Sequence, residues 1–459
     1  LILGVTNFQA LVRRRFKYSL LWSTAAKVTT CLLQVISIPI AIGLLGKEGY
    51  VAYAAIYAIS LAPQAFVLRH GPSLTGPNAI LFAQNEWDRI RRNLWAAVIP
   101  SGASAFLAGL GLALFFHLGW LDIPAGLAAT PDESYLQTLI VLVLVNLFHT
   151  WVLAFDDMQA AFQETHVQGI RVTLGNVVAL IAIMTLVPQW PTVLVYAMAI
   201  TVPPLVFRLG NVGLMMVRYR QLIPQDDSFN RVLLHETTRK SLMFTLVVGV
   251  GTYAAFRLPV IASAEYLGID QTTSISIINQ FVLVGYVFGS VLSVAFVPAI
   301  NASIAEGDAN WILRSIRRME CFMTIAAVVG TATMILMGGL VHRYFVKESL
   351  HVPASCLLFA GTYTSLLVIE NFYFLVGISF QSSKRLNLLF VTRAIITGAF
   401  AFVACALDFP AGIWLSGTIL TLVMTVFPYR YAVNSHLRRV TRVAIENDSQ
   451  PLRIAPSTE

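Results

Sequence analysis

The sequence predicts an all-α integral membrane protein: twelve transmembrane helices arranged as two six-helix lobes. Three observations lead there. Hydrophobic residues fill 57% of the 459 positions and charged residues only 12%, about half the charged share of a soluble domain. The apolar residues are gathered into blocks of roughly the 20 residues a helix needs to cross the hydrocarbon core. The second half of the chain also repeats features of the first. In lipid every backbone polar group must be bonded within its own segment, so such blocks form helices.

The spans fall at about 18–45, 50–71, 94–118, 135–158, 168–188, 191–217, 241–263, 271–297, 315–341, 354–379, 386–407 and 410–432. Span 1 follows the basic run Arg13, Arg14, Arg15, Lys17 and stops at Leu45-Gly46. Span 2 closes on the polar sequence Arg69-His70-Gly71. Prolines at 39, 63, 203, 204, 259 and 298 interrupt spans, and each removes a backbone hydrogen bond and bends its helix. Trp22, Trp95, Trp120, Trp190 and Trp414 lie near span ends, as an interfacial belt requires. With the N-terminus inside, only Lys47, Arg343 and Lys347 among the Lys and Arg residues fall in outer loops, which fixes the orientation. An even number of spans returns the C-terminus to the cytoplasm.

The longest inner loop divides six spans from six. The predicted parts are an N-terminal segment 1–17, an N-lobe 18–217, an inter-lobe loop 218–240, a C-lobe 241–432 and a polar tail 433–459. Leu45-Gly46 and Leu267-Gly268 are 222 residues apart, and Pro77 and Pro298 are 221 apart. Ile90-Arg91-Arg92 and Ile316-Arg317-Arg318 are 226 apart. Arg171 and Arg393, and Arg208 and Arg430, are each 222 apart. Duplication of an even number of helices keeps both copies in one orientation, so their pseudo-twofold axis runs along the membrane normal.

The net charge is +8, but the basic residues sit in short loops between spans, a topology signal that excludes nucleic acid as the partner. Cys31, Cys321, Cys356 and Cys405 all lie in apolar blocks without a C-x-x-C pair, so neither a disulfide frame nor a metal site is expected. No nucleotide loop, metal-ligand spacing or nucleophile motif occurs. The chain reads as a carrier without cofactor or catalytic residue, with membrane lipid around it.

The sequences LLGKEGYVAYA (44–54), GPSLTGPNAILFAQNEWDRIRR (71–92) and PAINASIAEGDANWILRSIRR (298–318) resemble the polysaccharide-exporting, Wzx-type branch of the multidrug/oligosaccharidyl-lipid/polysaccharide flippase superfamily. The likeness extends over the whole chain in span count and over these loops in sequence. It departs at Ala52, where a glycine is common, and at Arg69-His70. It implies a V-shaped, alternating-access fold in the bacterial inner membrane. The implied cargo is an undecaprenyl-pyrophosphate-linked oligosaccharide, an O-antigen or exopolysaccharide unit, moved to the periplasmic leaflet for a polysaccharide polymerase.

Seven charged side chains are assigned to spans: Lys27, Arg69, Arg171, Arg208, Arg257, Arg393 and Glu370. Charge at mid-bilayer is costly, so such residues face a cavity or one another. Six cations against one anion favour an anionic cargo. Lys27 lies roughly 14 Å into span 1 and Arg257 roughly 24 Å into span 7 at the helical rise. Neither has a charged counterpart in the other half, which makes them the leading substrate-binding pair; the bland alternative is a buried ion pair. Arg69, Arg208 and Arg393 are further substrate-binding candidates, with anchoring to lipid headgroups as the alternative for each. Glu370, read as the sole carboxylate in a span, is the candidate for coupling to H+ or Na+; a static salt bridge to an arginine competes with that role.

The rival readings are a major-facilitator-like or multidrug secondary transporter of a small anionic solute and, from another class, a membrane glycosyltransferase or polymerase. The loop after span 2 holds Asp88-Arg89 and Arg91-Arg92 but lacks the glycines of the major-facilitator motif. An enzyme of the last kind needs a large outer loop, and the longest, about 117–134, carries only Asp122, Asp132 and Glu133.

Overall fold

The structure, a computed structural model, describes residues 2–119, 134–225, 231–306, 309–346, 353–379, 384–433 and 435. The described residues contain helices and no strand. The outer-loop acids Asp122, Asp132 and Glu133, the basic Lys347 and nearly all of the tail lie outside them.

Every predicted span falls on helix. Spans 1 and 2 share one helical run, Ile2–Ser60, bent where Gly46 takes φ 73° and ψ 174°. Only glycine enters that region without strain, which is why the turn between them falls at Leu45-Gly46. Span 2 continues through Ala62–Phe66, breaks, and resumes as Pro72–Ala83 inside what the sequence presented as a loop. Span 3 is Trp87–His117. Span 4 is Ser134–Trp151 with Leu153–Ala161. Spans 5 and 6 are Thr165–Leu186 and Val193–Arg218. Span 8 is Ile269–Glu306, span 9 Ala309–Val346, span 10 Ala354–Ser379 and span 11 Lys384–Ala406. Span 12 opens with Ala411–Thr421 and a π-helical turn at Leu422–Val426. Ten of the described helices are long and apolar enough to cross a bilayer, one of them (Leu21–Phe66) holding two predicted spans.

Span 7 is interrupted twice. It starts at Arg231, ten residues before the apolar block, because the polar stretch ahead of it is itself a good helix former. A π-helical turn follows at Leu246–Val250, then Gly251–Phe256, a break at Arg257, and Leu258–Tyr266. Pro259 brings no N–H to the helix, so the break falls just before it. The π-turn lies where span 7 crosses span 2: a Cβ on Gly249 would stand 2.2 Å from the Ala65 carbonyl oxygen. Backbone cannot yield as a side-chain tip can. Gly249→Ala is expected to cost about 1–3 kcal/mol, read as a lower thermal midpoint in detergent; an unchanged midpoint would show that the crossing is loose.

The chain divides into two compact units. One comprises Leu1–Gln280, His342–Leu350 and Ala394–Pro410; the other comprises Phe281–Val341, His351–Arg393 and Ala411–Glu459. Within the first, Leu74, Ile90, Leu94, Phe155, Met158 and Phe162 anchor a buried core. Many large apolar side chains are instead exposed, Phe106, Leu110 and Ile140 among them, as a surface meeting hydrocarbon requires.

Candidate functional site

The first unit gathers ionisable groups around the break in span 2. Four polar backbone groups at the break bond side chains from other helices, as irregular backbone inside a membrane requires. Leu68 N–H donates to Ser104 Oγ at 3.0 Å, and Ser101 Oγ donates to the Leu68 carbonyl at 2.9 Å. Arg69 N–H donates to Thr245 Oγ1 at 2.8 Å. Gly71 N–H donates to Asp157 Oδ2 at 2.8 Å. Gly71 holds φ 47°, and a Cβ there would stand 2.6 Å from the Phe244 ring, so both conformation and space demand glycine. His70 is buried beside it, with Nε2 3.0 Å from the Ala97 carbonyl and Nδ1 2.5 Å from Ser241 Oγ. A carbonyl only accepts, so Nε2 carries the hydrogen.

Arg208 and Asp156 form an ion pair at 2.8 Å with side chains 11% and 5% exposed. Arg208 also donates to the His149 carbonyl at 3.1 Å. This corrects the expectation that Glu370 is the sole carboxylate in a span. Asp156 and Asp157 lie in the helical passage Tyr135–Ala161, inside the bounds predicted for span 4. Their position inside those bounds makes both acids legible in the sequence. Arg69 has a buried Nε without a hydrogen-bond partner. Arg257 stands at the second break of span 7, its guanidinium carbon 5.2 Å from the centroid of the Tyr57 ring. Lys27 and Arg171 are partly exposed on spans 1 and 5.

A cavity of about 1250 Å³ opens at the far ends of spans 1, 7 and 11, lined by Lys47, Glu48, Asp270, Gln271 and Asp408. Lys47 Nζ meets Asp270 Oδ1 at 3.0 Å across it. The two repeated Leu-Gly turns therefore lie together. Among the described residues no cluster of three or more His, Cys, Asp or Glu could hold a metal.

The second unit has its own charged centre. Arg393 Nη2 donates to Glu370 Oε2 at 2.7 Å, with side chains 1% and 0% exposed. Arg393 Nη1 donates to Tyr363 Oη at 3.3 Å, and its guanidinium lies 4.9 Å from the Phe390 ring centroid. A second group joins spans 9, 10 and 12: Glu320 Oε1 accepts from Tyr373 Oη at 2.6 Å and pairs with Arg430 at 2.8 Å. Glu320 lies inside the predicted bounds of span 9 and is a further in-span carboxylate beyond Glu370.

Of the sequence candidates, the structure thus puts Glu370 against Arg393 in one unit. In the other it puts Arg208 against Asp156, Arg257 on Tyr57, and Arg69 at the break in span 2. Charges predicted to face a common cavity are in two cases paired with buried acids. A charged group in a low-dielectric setting seeks an opposite charge first, and Asp156 supplied one the expectation had not counted.

No family model matches the sequence, and no curated protein matches it. Solved structures do. One is the outward-facing conformation of a multidrug resistance MATE family transporter of the MOP superfamily, at 14% identity and TM-score 0.66, covering 94% of this chain and 96% of that one. The Vibrio cholerae MATE transporter VcmN matches at 13% identity and TM-score 0.61, with 95% and 98% covered. The eukaryotic MATE transporter AtDTX14 matches at 13% identity and TM-score 0.58, with 94% and 99% covered. Likeness over nearly the full length of both partners establishes the architecture: the chain has the fold of the MATE transporters.

Proposed function

We propose that the chain is a secondary transporter whose cargo carries negative charge. One observation carries this reading. Within the spans Asp156 is taken by Arg208, Glu370 by Arg393, Glu320 by Arg430 and Asp157 by the Gly71 amide, whereas Arg69 and Arg257 have no carboxylate partner among the described residues. A spare cation in a span is expensive unless water or an anionic ligand meets it. An exporter of cationic compounds would need the opposite, a spare carboxylate.

The likeness to multidrug transporters favours a small, amphipathic organic anion as the cargo. A lipid-linked saccharide held by its pyrophosphate is the second reading, favoured by the loop sequences at 71–92 and 298–318 and by guanidinium groups that suit phosphate oxygens. Undecaprenyl pyrophosphate would then be the carrier and a polymerase the next partner. In either reading the lobes 18–217 and 241–432 alternate access, Lys27, Arg69 and Arg257 meet the anion, and Arg208 and Arg393 hold the helices. Glu370 couples transport to H+ or Na+: a proton on Glu370 releases Arg393.

Proteoliposomes test this. A fluorescent organic anion should move under an imposed H+ or Na+ gradient, and Glu370→Gln should remove the gradient dependence. Movement of a cationic dye with no movement of anions would overturn the reading. Flipping of a polyprenyl-pyrophosphate saccharide in place of the soluble anion would select the second cargo.

A further inference from the structure

We propose that Tyr57 is a positioning residue: its ring face holds the Arg257 guanidinium in place, so that span 7 selects an anion presenting two oxygens, a carboxylate or a phosphate. This rests on the anionic-cargo reading and adds to it the geometry of recognition.

The root of Arg257 is fixed by the break in span 7. Arg257 has φ −111° and ψ −39°, between the helices Gly251–Phe256 and Leu258–Tyr266. The adjoining Phe256 carbonyl accepts from Asn279 Nδ2 at 2.7 Å, so the kinked backbone is tied to span 8. Beyond the root, the guanidinium carbon lies 5.2 Å from the centroid of Tyr57, inside the roughly 6 Å range in which a cation is drawn to a ring face. That ring is itself held. Tyr53 stacks on it at 5.7 Å and 15°, and Tyr196 meets Tyr53 edge-on at 4.6 Å. Tyr53 and Tyr196 are buried, so the stack cannot swing away.

A guanidinium held over a ring by cation–π attraction still has its N–H donors to satisfy. The side chain of Arg257 makes no hydrogen bond or ion pair with another described residue, and it is partly exposed. The molecule contains its own comparison. Arg393 also lies on a ring, Phe390 at 4.9 Å, and there a carboxylate, Glu370, fills the guanidinium edge at 2.7 Å. At Arg257 the guanidinium also lies over a ring, and there no acid among the described residues meets it. A planar fork takes two oxygens of one anion at once, and a lysine at the same place offers only a point charge.

The test is transport by proteoliposomes of 1-naphthoate, 1-naphthyl phosphate and farnesyl pyrophosphate, comparing wild type with Arg257→Lys, Tyr57→Leu and Tyr57→Phe. Arg257→Lys keeps the charge and should raise KM about tenfold or more, the loss of one charge-assisted hydrogen bond. Tyr57→Leu should raise KM about threefold to thirtyfold with kcat little changed, and Tyr57→Phe, which keeps the ring, should match wild type. An effect on all three anions assigns the site to the shared two-oxygen chemistry. An effect on farnesyl pyrophosphate alone assigns it to a lipid headgroup, and an effect on the naphthyl compounds alone to a free solute. If wild type carries the anions and Arg257→Lys or Tyr57→Leu leaves KM unchanged, or if Tyr57→Phe falls with Tyr57→Leu, the positioning role is wrong while the anionic cargo stands. If wild type carries no anion, both fail.

Discussion

Glu370→Ala is expected to lower the stability of the second unit by about 3–5 kcal/mol, because it strands a buried guanidinium. Arg393 is 1% exposed and its donor to Glu370 sits at 2.7 Å; Tyr363 at 3.3 Å is a neutral acceptor that cannot replace a carboxylate. The measurement is thermal or denaturant unfolding in detergent, followed by tryptophan fluorescence. The double variant Glu370→Leu, Arg393→Met should recover most of the loss, since replacing a whole buried pair by apolar groups is close to neutral. Equal stability of Glu370→Ala and wild type would mean that Arg393 reaches water or another acid when Glu370 is gone.

Arg208→Ala should be as severe, again about 3–5 kcal/mol. It leaves Asp156, 5% exposed, without its cation and leaves the His149 carbonyl without a donor. Arg430 lies 222 residues later, at the corresponding point of the repeat, and provides the control. Its pair with Glu320 is 52% and 25% exposed, so Arg430→Ala should cost only about 1 kcal/mol or less. Similar losses for the two would contradict the difference in burial on which both expectations stand.

Twelve apolar blocks were enough to place twelve helices, because a bilayer leaves an apolar segment one backbone solution. The turn at Leu45-Gly46 was legible for a similar reason, since Gly46 needs a backbone that other residues avoid. Partner choice was not. Arg208 and Asp156 are 52 residues apart and Arg393 and Glu370 are 23 apart, so each pairing depends on which helix faces meet, and hydropathy does not record that. The break in span 2 was half legible. Arg69-His70-Gly71 stood out as too polar for a span, but the serines and threonines that receive it, Ser101, Ser104, Ser241 and Thr245, are ordinary residues in their own helices. The span bounds also hold a usable signal: Asp156, Asp157 and Glu320 lie inside them, and an arginine in lipid implies an acid nearby.

The interrupted second helix has a consequence for biogenesis. The amide of Arg69 is bonded by a threonine 176 residues further along, and Nδ1 of His70 by a serine 171 residues further along. When the ribosome has delivered only the first four helices, neither group has its final companion. A nascent chain cannot leave such groups facing acyl chains, where each costs several kcal/mol. The early helices must therefore stay hydrated at that point, or remain beside the insertion machinery, until the seventh arrives.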